Sequence, residues 1–275
     1  MPELPEAEVV ARHIRDRLLG AQLVDYHVLR DDIVREGRET FVWYRGAALD
    51  SVERWGKSVV LAFSQREEIR YLVAELGMTG LLLFGRAVVS RVKHTHVRLC
   101  FQGGREPDLY YWNARRFGRL YLLDQAGLHR FIGRRFGCDP LVVDWDSFWQ
   151  ILQGRRGRLK ALLMHQQVIA GIGNIYANEI LFAAKLHPNQ QANRLSRARA
   201  LVLYREMQAV LARAIAQGGS SIRDFVAPDG SLGLYRQDHR VYNREGQPCL
   251  RDCGGSIRTR KGERTSFYCP VCQIR

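Results

Sequence analysis

The sequence predicts an α+β protein with an N-terminal helix, a β-rich domain, a helical domain and a small metal-binding module. Apolar residues recur at helical spacing near the N-terminus, and β-branched and aromatic runs fill the next hundred residues. Helical periodicity returns after residue 145. Four of the six cysteines lie in the last 27 residues, which indicates a separate module there.

The N-terminal helix is predicted over residues 5–20, where Pro5 suits the first turn and Gly20 suits the C-terminal cap. Its apolar residues recur every three to four positions: Val9, Val10, Ile14, Leu18 and Leu19. The β-rich part then extends to about residue 125. Its apolar runs are SVVLAF (58–63), GLLLFG (80–85), THVRLC (95–100), LYYW (109–112) and GRLYLL (118–123). Short strands at this spacing predict a β-sandwich or a barrel.

The second half of the chain is predicted to be helical, after a linker near residues 124–140 and before a loop at 222–240. Helical periodicity is found at 146–153, 159–166, 174–186 and 196–217. We therefore expect three domains, with these bounds: a β-sandwich domain at 1–130, a helical domain at 131–238 and a metal module at 239–275.

The four C-terminal cysteines have the spacing of a zinc site. Three residues separate Cys249 from Cys253, two separate Cys269 from Cys272, and 15 lie between the pairs. Two such pairs of thiolates form a tetrahedral site, and the residues between them can form a β-hairpin. Four cysteines leave no position for water, so one structural zinc ion is predicted. Two disulfides are the alternative.

The charge balance predicts a polyanionic partner. Lysine and arginine number 42 and aspartate and glutamate 28, which gives a formal net charge of +14. Nucleic acid is favoured over an anionic membrane because no basic amphipathic helix stands out. A merely solubilising excess of charge is the alternative. No apolar run reaches membrane-spanning length, and the acidic start is unlike a secretory signal.

The opening MPELPE has two interpretations. The first is helix capping. The second is that removal of Met1 leaves Pro2 with a free secondary amine, and an α-amino group with a pKa of about 7.7–8.0 is partly nucleophilic near pH 7. Attack on a sugar C1′ would form an iminium, which acidifies the C2′ proton and permits elimination of the 3′-phosphate. Glu3, next in the chain, could move the protons.

Several motifs together resemble a known family. They are MPELPE at the start, RRFG at 115–118, GIGNIYANEIL at 171–181 and the basic four-cysteine tail ending in CPVCQ. In this order, from residue 2 to residue 273, they resemble the formamidopyrimidine-DNA glycosylase family, whose members excise oxidised bases and nick the strand. The resemblance implies a helix–two-turn–helix element in the helical domain and a zinc finger at the C-terminus.

The resemblance implies roles for the matching residues near the chemistry. Pro2 would be the nucleophile, Glu3 the acid that moves protons, and Glu6 a supporting residue. Lys57, in RWGKSVV, would approach the phosphate and base of the lesion. Glu179 would organise the site through hydrogen bonds. A solvated turn lysine and a solvated helix face are the alternatives for the last two.

The resemblance also implies contacts with DNA. Family members fill the space left by a flipped-out nucleotide with a methionine, an arginine and a phenylalanine, here Met78, Arg115 and Phe117. Asn174 and Arg264 are implied to contact DNA phosphates, and Lys160 matches a family lysine near the DNA. The segment at 218–237 would cover the flipped base as a lid. Core positions are the alternative for Met78 and Phe117, although both lie beside glycines in predicted turns.

The chain departs from the family pattern in three places. Glu75 stands where the family usually has a histidine that contacts phosphate, so a lost or rerouted contact is predicted. Asn113 and Ala114 replace the usual Asp-Pro before the two arginines, which predicts a differently shaped loop. The first cysteine pair has one extra intervening residue, which zinc tolerates. None of these changes removes Pro2.

The function implied is that of a bifunctional glycosylase and abasic-site lyase of base excision repair. It would excise 8-oxoguanine and formamidopyrimidines from double-stranded DNA through a Pro2 iminium and nick the strand by β,δ-elimination. A preference for oxidised pyrimidines and a non-catalytic damaged-DNA-binding protein are alternatives. A generic zinc-ribbon binder does not explain the first six residues. The resemblance further implies a monomer in the bacterial cytoplasm, without a membrane partner.

Overall fold

The computed structural model describes residues 2–89, 91–222 and 224–274. These residues form two compact units. The first unit contains the chain up to residue 134 together with residues 217–236, and the second contains residues 135–216 and the chain from residue 237 onward.

The first unit combines the helix α1 (Leu4–Leu18) with a nine-stranded sheet that forms a β-sandwich. The strands are β1 (Gln22–Val28), β2 (Val34–Glu36), β3 (Ala48–Trp55), β4 (Ser58–Gln65), β5 (Glu68–Glu75), β6 (Gly80–Phe84), β7 (Thr95–Gln102), β8 (Asp108–Asn113) and β9 (Leu120–Leu123). They follow the order β2-β9-β5-β4-β3-β1-β7-β8-β6, and the pairs are antiparallel except β2 with β9. The unit also contains two four-residue helices, α2 (Phe41–Tyr44) and α3 (Gly85–Val88). The predicted first helix and the five predicted strands are confirmed.

The segment 217–236 packs with the β-sandwich, whereas the predicted domain bounds placed it in the helical domain. Phe225 and Val226 are buried in the core that α1 and the sheet share. The Phe84 N–H also donates a hydrogen bond to the Pro228 carbonyl at 2.7 Å. Burial of apolar side chains in this core explains why the segment leaves the helices that flank it in sequence.

A helix replaces most of the predicted linker at 124–140. This helix, α4 (Gln125–Arg135), begins after Asp124, whose carboxylate accepts a hydrogen bond from the Gly127 N–H at 2.6 Å. Gly127 and Gly133 weaken its helical signal in the sequence. Its capping and the burial of its apolar face stabilise it in the folded unit.

The second unit contains the predicted helices and the predicted hairpin. The helices are α5 (Trp145–Gln153), α6 (Leu159–Met164), α7 (Asn174–Ala183) and α8 (Arg197–Ala216), and the hairpin pairs β10 (Arg258–Arg260) with β11 (Ser266–Tyr268). The hairpin module belongs to this unit because Phe182 of α7 packs with Val241 and Ile257 in one buried cluster. Within the described residues, every helix is too short or too polar to cross a membrane.

Candidate active site and nucleic-acid contacts

The first residues of the chain are fixed by the start of α1. Glu3 is the N-cap and forms a reciprocal capping box with Glu6, in which the Glu3 N–H donates to Glu6 Oε2 at 2.8 Å. Pro2 is buried, and Glu3 and Glu6 are each 1% exposed. The capping interpretation of the opening is therefore confirmed, and the nucleophilic role of Pro2 stays a prediction. Met1 lies outside the described residues.

Glu6 also binds the segment predicted to be a lid. Its Oε1 accepts a hydrogen bond from the Ser220 N–H at 2.7 Å. The neighbouring Gly219 has a φ of +79°, and a Cβ at this position would lie 2.7 Å from the same oxygen. A side chain at residue 219 would therefore push the two segments apart. Sequence reasoning missed this link because 214 positions separate the two residues.

Lys57 lies half-buried in the tight turn between β3 and β4, after Gly56 with a φ of +57°. Arg54 ties this turn to α1, since its guanidinium donates to Glu8 Oε2 at 3.1 Å and to the Gly56 carbonyl at 3.3 Å. Burial raises the pKa of Glu8, but hydrogen bonds and charges from Arg12 and Arg54 outweigh it and hold the pKa below its usual value. Glu8 and Arg54 were not predicted; the spacing of Glu8 and Arg12 was the available signal.

Two loops of the sandwich carry the residues predicted to enter the duplex. Met78 is half-buried in the turn between β5 and β6. Arg115 and Phe117 are exposed between β8 and β9, and Phe117 keeps 59% of its surface accessible. The Arg115 guanidinium lies over the Phe117 ring, 5.0 Å from its centroid. This exposure excludes the core alternative for Phe117.

Glu75, the first departure from the family pattern, ends β5. Its Oε2 accepts a hydrogen bond from the Tyr121 hydroxyl at 2.8 Å, and its N–H donates to the Arg119 carbonyl at 2.9 Å. The side chain is half-buried. The carboxylate is thus engaged by the neighbouring strand, and the loss of a phosphate contact at this position stays a prediction.

In the second unit, two tight turns join α6 to α7. Gln166 braces them: its amide donates to the Met164 and Ile172 carbonyls, both at 2.8 Å, and its oxygen accepts from the Gly171 N–H at 2.9 Å. Asn174 is the first residue of α7. The helix dipole at this end favours an anion such as phosphate. Gln166 was not predicted, because its role depends on the turn geometry.

Glu179 connects α7 to the chain that leads into the finger. It is 2% exposed, and its carboxylate accepts hydrogen bonds from the N–H groups of Arg240, Val241 and Tyr242 at 2.9, 3.1 and 2.8 Å. A buried carboxylate needs such donors, and these hold three consecutive residues. The alternative of a solvated helix face is excluded.

Lys160 lies in a place that does not suit a direct phosphate contact. It is 6% exposed, and its ammonium donates to the carbonyls of Arg264 at 3.3 Å and Thr265 at 2.7 Å, and to Ser266 Oγ at 3.0 Å. These bonds fix the hairpin between β10 and β11. Arg264 itself is exposed at the tip of that hairpin, where a phosphate contact is possible.

The four predicted metal ligands come together. Their sulfur atoms lie within 4.8 Å of one another, with 3.8 Å between Cys249 and Cys272 and 3.6 Å between Cys253 and Cys269. Zinc–sulfur bonds of about 2.3 Å in a tetrahedron place the sulfurs about 3.8 Å apart, so this set fits zinc. All four are free thiols, so the disulfide alternative is wrong.

A buried proline at position 2, a helix–two-turn–helix element and a four-cysteine hairpin define the class of DNA glycosylases that carry these parts on one chain. Residues 1–120 match the formamidopyrimidine-DNA glycosylase N-terminal domain, and residues 136–226 match the formamidopyrimidine-DNA glycosylase H2TH domain. The chain belongs to the formamidopyrimidine-DNA glycosylase family. It is therefore a DNA glycosylase of base excision repair, of the type that is also an abasic-site lyase.

Individual relatives resemble the chain over its whole length. The formamidopyrimidine-DNA glycosylase of Methylococcus capsulatus is 39% identical over 99% of this chain and 100% of its own. The crystal structure of the MutM (Fpg) protein from Thermus thermophilus has a TM-score of 0.85 at 35% identity, covering 99% and 98% of the two chains. A MutM complex with DNA containing carbocyclic 8-oxo-G has a TM-score of 0.86 at 31% identity and covers 100% of each chain.

Proposed function

We propose that this chain excises oxidised purines and cleaves the resulting abasic site, with Pro2 as the nucleophile. The observation that carries the proposal is the arrangement of the N-terminus: Pro2 is buried directly before the capping box of Glu3 and Glu6. Glu6 also binds the predicted lid segment 218–237 through Ser220. A nucleophile beside two carboxylates and a covering loop suits covalent chemistry on a base removed from the duplex.

The proposed reaction proceeds through a covalent intermediate on Pro2. The Pro2 amine attacks C1′, the bond from C1′ to the base breaks, and the base leaves with a proton. Glu3 assists opening of the sugar ring, which gives the iminium between the Pro2 nitrogen and C1′. Loss of the C2′ proton expels the 3′-phosphate, and loss of the C4′ proton then expels the 5′-phosphate. Water hydrolyses the remaining iminium and releases the Pro2 amine. Lys57 supplies positive charge near the lesion phosphate.

The proposed DNA contacts come from both sequence halves. Met78, Arg115 and Phe117 fill the space of the flipped nucleotide, while Asn174 and Arg264 bind flanking phosphates. Support comes from the similar MutM structure with 8-oxo-G DNA and from a complex of the Lactococcus lactis Fpg with abasic-site DNA, which has a TM-score of 0.87 at 29% identity. The exposure of Arg115, Phe117 and Arg264 agrees with these roles.

The four-cysteine cluster is proposed to hold one structural zinc ion. Bound zinc cross-links the two ends of the finger and thereby fixes the hairpin that carries Arg264. Its ligands would be Cys249, Cys253, Cys269 and Cys272. We further propose that the protein acts as a monomer in the bacterial cytoplasm.

Borohydride trapping tests the proposal. Protein with Met1 removal confirmed by intact mass is incubated with duplexes that carry 8-oxoguanine, a preformed abasic site or an oxidised pyrimidine, and is then reduced. We expect an adduct that maps to Pro2 with the 8-oxoguanine and abasic duplexes. Pro2→Gly is expected to abolish base excision, and Pro5→Ala, which alters a proline in the first turn of α1, serves as the matched control.

The other outcomes distinguish the alternatives. An adduct with the abasic and oxidised-pyrimidine duplexes but without the 8-oxoguanine duplex would move the preference to pyrimidine lesions. Full excision by Pro2→Gly would refute the assignment of the nucleophile. Specific binding of damaged DNA without any adduct would favour a non-catalytic binding protein.

A further inference from the structure

The two loops that carry Met78 and Phe117 are braced against each other. A Cβ on Gly77, which has a φ of +58°, would lie 2.5 Å from the Gly118 nitrogen, so the two backbones meet with no room for a side chain. The Glu75 N–H, just before the first loop, donates to the carbonyl of Arg119, just after Gly118, at 2.9 Å. The loops thus behave as one element of the first unit.

A buried hydrogen-bond network lies beneath this element, with Asn113 at its centre. Asn113 is 0% exposed, and its Oδ1 accepts hydrogen bonds from the Thr79 hydroxyl at 2.9 Å and the Arg116 N–H at 3.0 Å. The Thr79 hydroxyl in turn accepts from the Arg115 N–H at 3.1 Å. The Asn113 amide donates to the Tyr111 hydroxyl at 3.1 Å.

We infer that Asn113 and Thr79 are positioning residues that set the spacing between Met78 and the pair Arg115 and Phe117. Thr79 follows Met78 directly, and the backbone groups bound by the network belong to residues 115 and 116. The inference rests on the proposed function, in which these three side chains fill the gap left by a flipped nucleotide. Small displacements of these side chains should lower the rate of excision, because the side chains fill the gap only in one arrangement.

The same network accounts for one departure from the family pattern. Both asparagine and the family's aspartate offer a side-chain oxygen to the Thr79 hydroxyl and the Arg116 N–H. The replacement by Asn113 therefore preserves the acceptor on which the two loops depend. The spacing of the two loops should therefore depend on the acceptor oxygen at residue 113 and on the hydroxyl at residue 79.

The test compares two substrates for each variant. One is a duplex with 8-oxoguanine, which requires the gap to be filled, and the other is single-stranded DNA with a preformed abasic site, which has no opposite strand. Asn113→Ala and Thr79→Val remove the network, whereas Asn113→Asp and Thr79→Ser keep its oxygen atoms. Thr95→Val is the matched control, because Thr95, the first residue of β7 in the same unit, has the same 8% exposure as Thr79 and lies outside the network.

We expect Asn113→Ala and Thr79→Val to lose on the order of 10- to 100-fold in excision from the duplex. Their elimination rate on the single strand should stay within about twofold, which also shows that the first unit is folded. Asn113→Asp and Thr79→Ser should restore excision. A 2-aminopurine opposite the lesion should show reduced insertion only in the two network-breaking variants.

Two results would overturn the inference: unchanged duplex excision in both network-breaking variants, or equal losses on both substrates. Failure of the wild-type protein on both substrates is a different result, because it would refute the proposed function itself.

Discussion

Glu6 in the first unit and Glu179 in the second are both buried glutamates on helices. Each carboxylate accepts hydrogen bonds from backbone N–H groups outside its own helix. Glu6 accepts from Glu3 and from Ser220, which lie on two separate segments. Glu179 accepts from three consecutive residues at the start of the finger. The two glutamates have similar burial, but their donors are arranged differently.

This difference indicates what each carboxylate controls. The three adjacent donors of Glu179 make it a clamp on one stretch of chain, so its loss should mainly change stability. Glu6 joins the residue after the proposed nucleophile to the lid segment, so its loss should change activity first.

Loss of a zinc ligand should have the largest effect. Structural zinc supplies on the order of 10 kcal/mol to the folding of small modules, so Cys269→Ala is expected to unfold the finger and abolish duplex binding. The zinc content of the protein reports on the finger, and fluorescence anisotropy of a labelled duplex reports on DNA binding. Cys138→Ala is the control, since this half-buried thiol in the same unit lies outside the cluster. Retained zinc and affinity in Cys269→Ala would contradict the zinc site.

Glu6→Gln should reduce excision strongly. The amide group would point an N–H toward either the Glu3 or the Ser220 N–H, which leaves a buried donor without an acceptor. We expect a loss on the order of 100-fold in single-turnover excision, because the lid and the proposed nucleophile are displaced together. Glu39→Gln, at an exposed position, should be neutral. Normal excision by Glu6→Gln would show that the contact between Glu6 and the lid segment is not needed for catalysis.

Glu179→Gln should instead lower stability. The single amide oxygen of the glutamine cannot accept from all three N–H donors, and its NH₂ group would face them. Each buried donor left without an acceptor lowers the free energy of unfolding by roughly 1–3 kcal/mol. Denaturant unfolding, followed through Trp145 and Trp149 of the second unit, measures this loss. Elimination at a single-stranded abasic site should change little. A catalytic defect at unchanged stability would show that the clamp interpretation is wrong.

Arg264→Ala should weaken DNA binding uniformly across sequences. Loss of one phosphate contact lowers the slope of log affinity against log salt by about one. Arg205→Ala is the control, because this exposed arginine lies on α8, away from the hairpin. An unchanged slope for Arg264→Ala would remove this residue from the phosphate contacts.

Glu8→Gln should have the smallest effect and should depend on pH. Arg12 and Arg54 hold the pKa of Glu8 below its usual value of 4.5, so the ionised form favours the folded state. The resulting stability is present above the usual pKa and is lost as pH falls through the folded-state pKa. Unfolding at pH 7 should show a loss of about 1 kcal/mol that shrinks below pH 4. A pH-independent difference would contradict this account.

Much of the fold could be predicted because its signals are local. The apolar period of α1 and the spacing of the cysteines are visible within short stretches of sequence. Helix α4 was missed because Gly127 and Gly133 weaken a helical pattern that capping and burial stabilise in the folded chain. Lys160 was expected at DNA because it matches a family lysine near the DNA, and the sequence does not reveal the carbonyls around it.

The sequence by itself determined the candidate metal ligands, the candidate nucleophile and the family, since each depends on residue identity and spacing. The tertiary structure alone decided that Ser220 meets Glu6, that Lys160 is buried under the finger hairpin and that Asn113 joins two loops. The physical reason is the range of the interactions. Capping, periodicity and ligand spacing act within a few residues, whereas these bonds link residues 34 to 214 positions apart, which only the packed chain brings together.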